Sequence, residues 1–467
     1  MRTIRLTIKE LEKIVRGTCV GAGVSGDAGQ DEQTVVSGVS IDSRTIVSGN
    51  LFIPLVRVKD GHDFTREAIR GGAAAALWQA DHADPPEEAD IPFIRVECCL
   101  TALQRLASHY RDTLPVKVIG ITGSNGKTTT KDMIDSILRT TYKVHKTKGN
   151  LNSQIGVPLT LLDIAPDAEY AVIEMGMSER GQIEKLSQLA KPDIAVITMI
   201  GMSHLSTLGS REQIAAAKLE IVSGMKEDGV LVWDGDEPLL AKGLEAMPHP
   251  PRTVSFGMSE PCRYRASSVE ADDGGVSFRL QADQYRIPML GKHNALNALA
   301  AIAVAEWVGV PGERIRIGLE RVSVTGMRME VTRAPAGYTV INDAWNASPV
   351  SVKAALDTFA GLQGFAGKLL VIGDMRELGA DEREYHRDVG RMLDPDTIRY
   401  VITLGELAED IASEAAPHFP AGHVHAFLER DEALRCILSV ITPSDAVLVK
   451  GSRGLEMEQI VFALLQA

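Results

Sequence analysis

The chain has 467 residues, 45% of them hydrophobic, which is enough for roughly three domains with buried cores. A formal net charge of −13 argues against a nucleic-acid-binding protein, because phosphate contacts need a concentrated basic surface. The five cysteines show no C-x-x-C spacing and support neither a disulfide framework nor a zinc ribbon. The sequence opens without a signal-peptide core and no run approaches about 20 apolar residues, so we expect a cytoplasmic protein without membrane insertion.

The first predicted domain, a small α/β unit, covers residues 1–113. Thr7 precedes an apolar pattern of helical period at 8–15, which predicts a capped helix. Residues 36–41 and 51–55 are rich in β-branched and large apolar side chains, and they predict strands.

Asp42, Ser43 and Arg44 follow the first of these strands. A guanidinium offers a planar fork of donors to phosphate and a serine adds a hydroxyl, so the three residues are candidates for binding an anion or a nucleotide. They are also typical of a capped turn with a surface salt bridge, and the residues alone do not separate the two interpretations.

Residues 116–138 predict a nucleotide-binding loop. A short apolar strand ends at Thr122, residues 123–128 form the turn Gly-Ser-Asn-Gly-Lys-Thr, and a helix with one apolar face follows. Such a turn lets backbone N–H groups and a helix N-terminus converge on an anion, while Lys127 suits the terminal phosphates and Thr128 suits Mg²⁺. The motif is shorter than the usual phosphate loop, so from spacing alone a chance turn is the alternative.

Strands and helices alternate through the second predicted domain, 114–325, and the third, 326–467, which indicates mostly parallel sheets. In the second domain the predicted strands are 168–175, 194–200 and 230–233, the helices are 181–189, 214–225 and 294–308, and 252–287 is β-like. In the third domain the strands are 338–341, 368–372, 399–403 and 446–449. Polar residues follow the strands of the third domain, where open parallel sheets bind ligands.

Several motifs resemble, in order, those of the Mur ligases, ATP-dependent amide-forming enzymes of bacterial wall precursor synthesis. They lie at residues 120–130, 150–160, 174–178, 204–220, 291–297, 326–328, 342–349 and 372–379. No single motif is specific, but the combination is, and it runs almost end to end. The last two motifs and residues 42–44 are most similar to the member that adds D-alanyl-D-alanine to UDP-N-acetylmuramoyl tripeptide.

The resemblance implies three α/β domains: a smaller N-terminal domain that binds the UDP substrate, a central phosphate-loop domain with a mostly parallel sheet, and a Rossmann-like C-terminal domain. It also implies a cytoplasmic monomer that uses ATP to make an acyl phosphate, which the amine of D-alanyl-D-alanine attacks. Both steps gather negative charge, so the site needs Mg²⁺ and cationic groups.

The implied catalytic residues are Lys127, Glu174, His204 and Lys218, and two Mg²⁺ ions would be held by Thr128, Glu174, His204 and Lys218. Lys218 would first be carbamylated by CO₂. Without the resemblance, Glu174 would be interpreted as an exposed strand-end residue and His204 as a structural histidine. Lys218 would be interpreted as the exposed end of an amphipathic helix.

The resemblance also assigns the ligand contacts. ATP would be bound by Gly123, Asn125, Gly126, Lys127, Thr128, Thr129, Asn294, Arg328 and Asp343. Substrates would be bound by Asp42, Ser43, Arg44, Asn150, Asn152, Thr160, His386, Lys450, Ser452 and Arg453, the last four near the dipeptide. Capping of the 294–308 helix is the alternative for Asn294. Because Arg328 and Asp343 lie beyond a linker, we expect the ATP site to be complete only when the domains close.

Some positions depart from the family pattern. Met199 and Met202 replace polar residues ahead of His204, and methionine cannot replace their hydrogen bonds. Residues 56–59 lack the glycine expected before the Asp-Gly-His turn, and 344–345 are Ala-Trp. Two rival functions are the ligase that adds the third amino acid, whose Asp-Asn-Pro-Arg motif is absent here, and a catalytically silent ATP-binding regulator.

Overall fold

The computed structural model describes residues 4–20, 34–86 and 89–467, and within them the strands form sheets of two, five, six and nine strands. Each of the three larger sheets falls within one of the predicted domains, whose limits stay predictions. Helices cover the sheets, which confirms the predicted α/β class. In the described part of the chain, no helix combines the length and apolar character needed to cross a bilayer.

The N-terminal region carries the five-stranded sheet, in the order β2-β7-β6-β5-β4. Its elements are β1 Arg5–Thr7, α1 Ile8–Val15, β2 Thr18–Val20, β3 Val35–Ser37, β4 Val39–Ser40, β5 Leu51–Phe52, α2 Thr65–Arg70, β6 Ala75–Gln79, β7 Phe93–Val96 and α3 Cys99–Thr113. Thr7 caps α1 through a reciprocal bond with Glu10, as predicted. The predicted strand 36–41 is wrong in one respect, because Gly38, with a φ of 84°, divides it between two sheets.

The central region carries the nine-stranded sheet, in the order β16-β15-β14-β13-β12-β11-β8-β10-β9. Neighbouring strands are parallel except in two antiparallel pairs, β14 with β15 and β15 with β16. Its strands are β8 Lys117–Thr122, β9 Val144–Lys146, β10 Tyr170–Glu174, β11 Ile194–Ile197, β12 Val230–Asp234, β13 Arg252–Gly257, β14 Tyr264–Asp272, β15 Gly275–Leu280 and β16 Asp283–Ile287. Its helices are α4 Lys127–Leu138, α5 Gly156–Leu162, α6 Gln182–Ala190, α7 Leu205–Leu208, α8 Arg211–Leu219, α9 Pro238–Glu245, α10 Asn294–Trp307 and α11 Gly312–Glu320.

The C-terminal region carries the six-stranded sheet, in the order β17-β18-β22-β19-β20-β21, parallel except for edge strand β17. Its strands are β17 Glu330–Arg333, β18 Thr339–Asp343, β19 Lys368–Gly373, β20 Tyr400–Leu404, β21 Val424–Phe427 and β22 Ala446–Lys450. Its helices are α12 Pro349–Gly361, α13 Glu382–Arg391, α14 Ala408–Ala415, α15 Arg430–Val440 and α16 Glu458–Gln466. The strands β9, β17 and β21 were not predicted from the sequence.

The central sheet places the predicted site. β8 lies between β11 and β10, and these strands are buried on both faces, as their unbroken apolar sequence predicts. The turn after β8, the end of β10 and the segment after β11 therefore meet at the carboxyl edge of one sheet, where α/β proteins bind ligands.

Candidate active site

The glycine turn between β8 and α4 has the backbone shape of a phosphate-binding loop. Gly123 and Gly126 take left-handed φ values of 146° and 82°, and a Cβ at Gly123 would meet the Thr198 hydroxyl. Lys127 begins α4, and its Nζ donates to the carbonyl oxygens of Gly123 and Ser124 at 2.7 and 3.2 Å. Backbone N–H groups, a helix N-terminus and an ammonium group therefore converge, and such convergence binds phosphate.

A buried polar cluster surrounds the carboxylate of Glu174, at the end of β10. Its Oε2 accepts a hydrogen bond from the Thr128 hydroxyl at 2.9 Å, and its Oε1 accepts one from the Asn152 amide at 2.7 Å. Lys131 Nζ lies 3.8 Å from Oε2 and has no hydrogen bond to any described residue. Glu174 is only 2% exposed, so it is not the solvent-facing strand-end residue of the alternative interpretation.

Two hydrogen bonds join this cluster to the C-terminal part of the chain. Arg328 Nη2 donates to Thr128 Oγ1 at 2.9 Å, and the loop residue Asn125 donates to Ser348 Oγ at 3.3 Å. Burial lowers the pKa of Arg328, while Glu174 raises it. The phosphate loop and the C-terminal region are therefore in direct contact in this structure.

Lys218 lies at the end of α8 with only 1% of its surface exposed. The prediction that it would form the exposed end of an amphipathic helix, made without the resemblance, is wrong. Burial first, and the Lys127 ammonium second, lower the pKa of Lys218 well below its ordinary value, with Glu220 acting in the opposite direction. Burial therefore disfavours the charged ammonium form of Lys218 relative to that of a surface lysine.

His204 contacts the C-terminal region. Its Nδ1 lies 2.5 Å from Oε2 of Glu377, a residue that the sequence did not single out. Burial lowers the pKa of His204, and the Glu377 carboxylate raises it. The assignment of His204 as a metal ligand stays a prediction.

A cleft separates the phosphate loop from the C-terminal sheet. Its walls include Asn125, Gly126, Thr129, Met199, His293, Asn294, Asn297, Arg328, Asp343, Trp345, Asn346 and Lys450. The volume is about 140 Å³, below the roughly 300 Å³ at which ligand pockets begin.

Two residues of the cleft were assigned to ligands by the resemblance, and their binding roles stay predictions. Lys450, predicted for a dipeptide pocket, lies in this cleft and donates to Asp343 Oδ2 at 2.6 Å and to the Asn346 carbonyl at 3.0 Å. Asn294 does not cap α10 with its side chain, because its Nδ2 donates to the Leu290 carbonyl and its Oδ1 accepts from Asn297, at 2.8 and 2.9 Å. The amide of Asn294 is thus held between Leu290, which precedes α10, and Asn297, within α10.

A separate cavity of about 550 Å³ lies in the N-terminal region. Arg44 donates to both carboxylate oxygens of Asp42 at 2.9 and 2.7 Å, which is the capped turn and salt bridge of the simpler interpretation. The same turn nevertheless lines the cavity beside Arg57 and Lys59. Three cationic side chains around one cavity suit a phosphate-bearing ligand.

The sequence matches one family along most of its length. The matching descriptions are "Mur ligase family, catalytic domain" at residues 35–111, "Mur ligase middle domain" at 121–305 and "Mur ligase, glutamate ligase domain" at 327–453. The chain is 44% identical over 467 residues to the UDP-N-acetylmuramoyl-tripeptide--D-alanyl-D-alanine ligase of Bacillus subtilis (strain 168), covering 99% of both chains. The Escherichia coli (strain K12) protein of the same name is 32% identical, with 99% of this chain and 98% of that one covered.

The chain belongs to the Mur ligase family. The fold agrees with that of MurF from Acinetobacter baumannii, with a TM-score of 0.88, 30% identity and full coverage of both chains. It also agrees with MurF ligase from Thermotoga maritima in complex with ADP, with a TM-score of 0.78 and 26% identity over 92% of this chain and 97% of that one. The predicted resemblance and the predicted three-domain fold are confirmed.

Some residues implied by the Mur ligase resemblance have structural roles here. His386 is fully buried, its Nε2 accepts from the Met375 N–H at 2.9 Å, and its Nδ1 contacts the Glu382 carbonyl at 2.6 Å. Thr160 is 3% exposed and donates to the Gly156 carbonyl at 2.9 Å within α5. Both side chains are engaged inside the fold, and their roles in substrate binding stay predictions.

The remaining predicted substrate contacts lie at different depths. Asn150 is exposed, whereas Ser452 is 4% exposed and its Oγ accepts from the Arg376 N–H at 2.9 Å. Arg453 pairs with Glu458 at 2.5 Å and lies 5.2 Å from the ring centroid of Trp345, which lines the cleft. Their roles in binding stay predictions.

Sequence reasoning missed two buried charges of the Mur ligase site, Lys131 and Asp132. Lys131 lies one helical turn after Lys127, so helical periodicity placed it on the same face of α4. Asp132 likewise lies one helical turn after Thr128, but its pairing with Thr325, 193 residues away, has no signal in the local sequence. Only folding brings Asp132 and Thr325 together.

Proposed function

We propose that this chain joins D-alanyl-D-alanine to UDP-N-acetylmuramoyl tripeptide in peptidoglycan precursor synthesis, using ATP. The observation that carries the proposal is the 44% identity, over 99% of both chains, to the Bacillus subtilis enzyme of that name. The site supports it, because a phosphate loop, a buried carboxylate and a distant arginine meet at one point. A cytoplasmic location and a monomeric state go with the proposal.

The reaction proceeds in two steps. The tripeptide carboxylate takes the γ-phosphoryl group of ATP and ADP leaves; the dipeptide amine then attacks the acyl carbon, and phosphate leaves as the amide forms. Lys127 and Arg328 would hold the transferred phosphoryl group from two sides and stabilise its negative charge. Asp343 and Asn294 would face the nucleoside, with Lys450 holding the Asp343 carboxylate in place.

The residues around Glu174 fit a magnesium ion. Mg²⁺ prefers oxygen ligands, and the Thr128 hydroxyl and a Glu174 oxygen lie 2.9 Å apart in a buried site. Bound there, Mg²⁺ would neutralise charge on the phosphate oxygens. Lys131 lies beside the same carboxylate and would limit the net negative charge of the site.

A second Mg²⁺ and the Lys218 carbamate remain part of the proposal. Carbamylation by CO₂ needs a neutral amine, and burial lowers the pKa of Lys218 well below its ordinary value. The carbamate would add an oxygen ligand beside Lys127. Intact-protein mass spectrometry with ¹³C-bicarbonate and chemical trapping would detect the adduct on Lys218, and a Lys218→Ala variant would lack it.

The substrates would enter from different regions. The N-terminal cavity at Asp42, Ser43 and Arg44 would hold the UDP group, where Arg57 and Lys59 add positive charge. Asn152 bonds to Glu174, so it would lie where the tripeptide carboxylate meets ATP. The dipeptide would approach from the C-terminal region, close to Arg453.

The test is a coupled assay with ATP, Mg²⁺, the UDP-tripeptide and D-alanyl-D-alanine. We expect phosphate release that requires the dipeptide, together with an amide product of the matching mass. The tripeptide is supplied with L-lysine or diaminopimelate at its third position in separate reactions. Phosphate release driven instead by a single diamino acid and the UDP-dipeptide would assign the chain to third-residue addition.

A loop variant completes the test. Lys127→Ala removes the ammonium group without touching the substrate cavities, and we expect a loss of at least about a hundredfold in kcat. Lys185→Ala, on the exposed face of α6, is the matched control and should keep full activity. Full activity in Lys127→Ala would contradict the proposal.

A further inference from the structure

We propose that Asp132 is a positioning residue that fixes the linker, defined as residues 321–329 between α11 and β17, and so holds Arg328 at the phosphate loop. This inference rests on the proposed function, because the part of Arg328 in ATP use is itself proposed. It goes further by naming the group that sets where Arg328 lies.

The contact between Asp132 and the linker is direct and buried. Asp132 lies on α4 with a side-chain exposure of 0%. Its Oδ2 accepts from the Thr325 N–H at 2.7 Å and from the Thr325 hydroxyl at 2.8 Å. Hydrogen bonds to an ionised carboxylate are among the strongest in proteins, so the linker is held firmly at Thr325.

The same helix holds the linker a second time. Arg328, three residues after Thr325, donates to Thr128, which lies one turn before Asp132 on α4. Residues four apart on a helix share a face, so both contacts lie side by side. The linker therefore contacts α4 at two points, Thr325 and Arg328. The contact at Thr325 restricts where Arg328 can lie.

The linker backbone needs such restraint. Met327 and Met329 have φ values of 64° and 52°, in the left-handed region that residues other than glycine rarely adopt. Met327 N donates to Glu330 Oε2 and Met329 N donates to Asp343 Oδ1, both at 3.2 Å. These bonds hold the end of the linker near Arg328, and Asp132 holds its middle at Thr325.

Asp132 is also connected, through Lys131, to the buried polar cluster around Glu174. Lys146 Nζ lies 2.9 Å from Asp132 Oδ1, and Lys131 Nζ lies 3.6 Å from it and 3.8 Å from Glu174 Oε2. Burial alone would raise the pKa of Asp132, but Lys131, the Thr325 N–H and Lys146 together lower it. The residue therefore stays charged, and its bonds to the linker stay strong.

The chain offers a matched control for the test. Asp135 lies one turn further along α4, is 5% exposed, and pairs with Lys146 and Arg139 at 2.9 and 2.6 Å. None of its bonds to described residues reaches the linker. Asp132→Asn and Asp135→Asn remove the same charge from neighbouring turns, and only the first weakens the hold on Thr325.

We expect kcat/KM for ATP to fall by about tenfold in Asp132→Asn, because a misplaced Arg328 no longer meets the phosphate. In Asp135→Asn the fall should stay below about twofold, and KM for the UDP-tripeptide should not change in either variant. Equal losses in the two variants, or a rise in KM for the UDP-tripeptide, would show a general structural role and overturn the inference.

A double-mutant cycle tests whether Asp132 acts through Arg328. In the Arg328→Ala background, Asp132→Asn should lower kcat/KM for ATP by less than about twofold, because the group it positions is gone. A further tenfold loss there would mean that the two residues act independently, which overturns the inference. Thr325→Val leaves every charge in place, and we expect about a threefold loss that also disappears in Arg328→Ala.

Amide hydrogen exchange separates this inference from the proposed function. Peptides covering 321–329 are followed without substrates, and we expect them to exchange at least about tenfold faster in Asp132→Asn than in Asp135→Asn. An inactive wild-type enzyme would refute the function and leave this measurement intact. Equal exchange in the two variants overturns the inference. Thr325→Val provides the same comparison if Asp132→Asn does not fold.

Discussion

His204, in the central region, and Glu377, in the C-terminal region, meet with both backbones in the left-handed region, at φ values of 58° and 66°. The Ser206 N–H also donates to the Glu377 carbonyl at 3.1 Å, so the contact involves backbone and side chain. Two residues other than glycine take an unfavourable conformation at the same contact, which indicates that the surrounding structure over-determines their backbone conformation.

Removing the Glu377 charge should therefore affect turnover more than stability. The side chains of His204 and Glu377 are 31% and 58% exposed, so their pair adds little to the free energy of unfolding. In Glu377→Gln we expect kcat to fall about fivefold, with the thermal midpoint almost unchanged. Glu406→Gln, exposed elsewhere in the C-terminal region, is the control. The same kcat in both variants would show that the contact has no part in closure.

Glu174→Gln tests the magnesium site. The change keeps the size of the side chain but removes the charge that faces Thr128 and Lys131, so we expect kcat to fall at least about a hundredfold. The Mg²⁺ concentration for half-maximal rate should rise, which titration of Mg²⁺ at saturating ATP would measure. Glu179→Gln, in the exposed loop after β10, should leave both quantities unchanged. An unchanged Mg²⁺ requirement in Glu174→Gln would show that this carboxylate does not bind Mg²⁺.

Arg44→Lys decides between the two interpretations of the N-terminal turn. Lysine keeps the charge but loses the planar fork that a phosphate and Asp42 both use. If the cavity binds UDP, KM for the UDP-tripeptide should rise about tenfold while KM for ATP stays the same. Arg70→Lys, exposed at the end of α2, is the control. Unchanged kinetics in Arg44→Lys would support the interpretation as a capped turn and contradict binding of UDP by Arg44.

The histidine pair behind this cavity should make stability depend on pH. His82 Nε2 lies 2.8 Å from Asp60 and its Nδ1 lies 2.7 Å from Asp81, and these carboxylates raise the pKa of His82 above the ordinary 6.5. Its contribution to stability is therefore fully present below pH 6.5 and is lost as the pH rises through the folded-state pKa. His62, stacked on His82 with ring centroids 3.8 Å apart, has a pKa lowered by burial and acts in the opposite sense.

The measurement is the unfolding midpoint of the wild type and His82→Gln as a function of pH. We expect the advantage of the wild type to be greatest near pH 6 and to shrink toward about pH 9, because the imidazolium loses its proton. His249→Gln, an exposed histidine after α9, should show no such trend. A gap between wild type and His82→Gln that is constant with pH would contradict the assignment.

Local patterns predicted the elements that short-range forces determine. The strand, glycine turn and helix at 116–138 are as predicted, since their residues favour these conformations on their own. Predictions failed where the signal was short or mixed. β9, β17 and β21 have only three or four residues, and the helix predicted at 214–225 ends at Leu219, because the chain tightens into a 3₁₀ turn at Glu220–Gly224.

The sequence by itself determined the family, the phosphate loop and the order of the candidate residues, because these depend on residue type and spacing along the chain. Only the tertiary structure decided which of those residues are buried and what they face. Lys218 is enclosed rather than exposed, Lys450 meets Asp343, and His386 serves the core. The physical reason is that burial and long-range pairing arise when distant segments pack, so a charged side chain gains its role from neighbours that the linear order does not reveal.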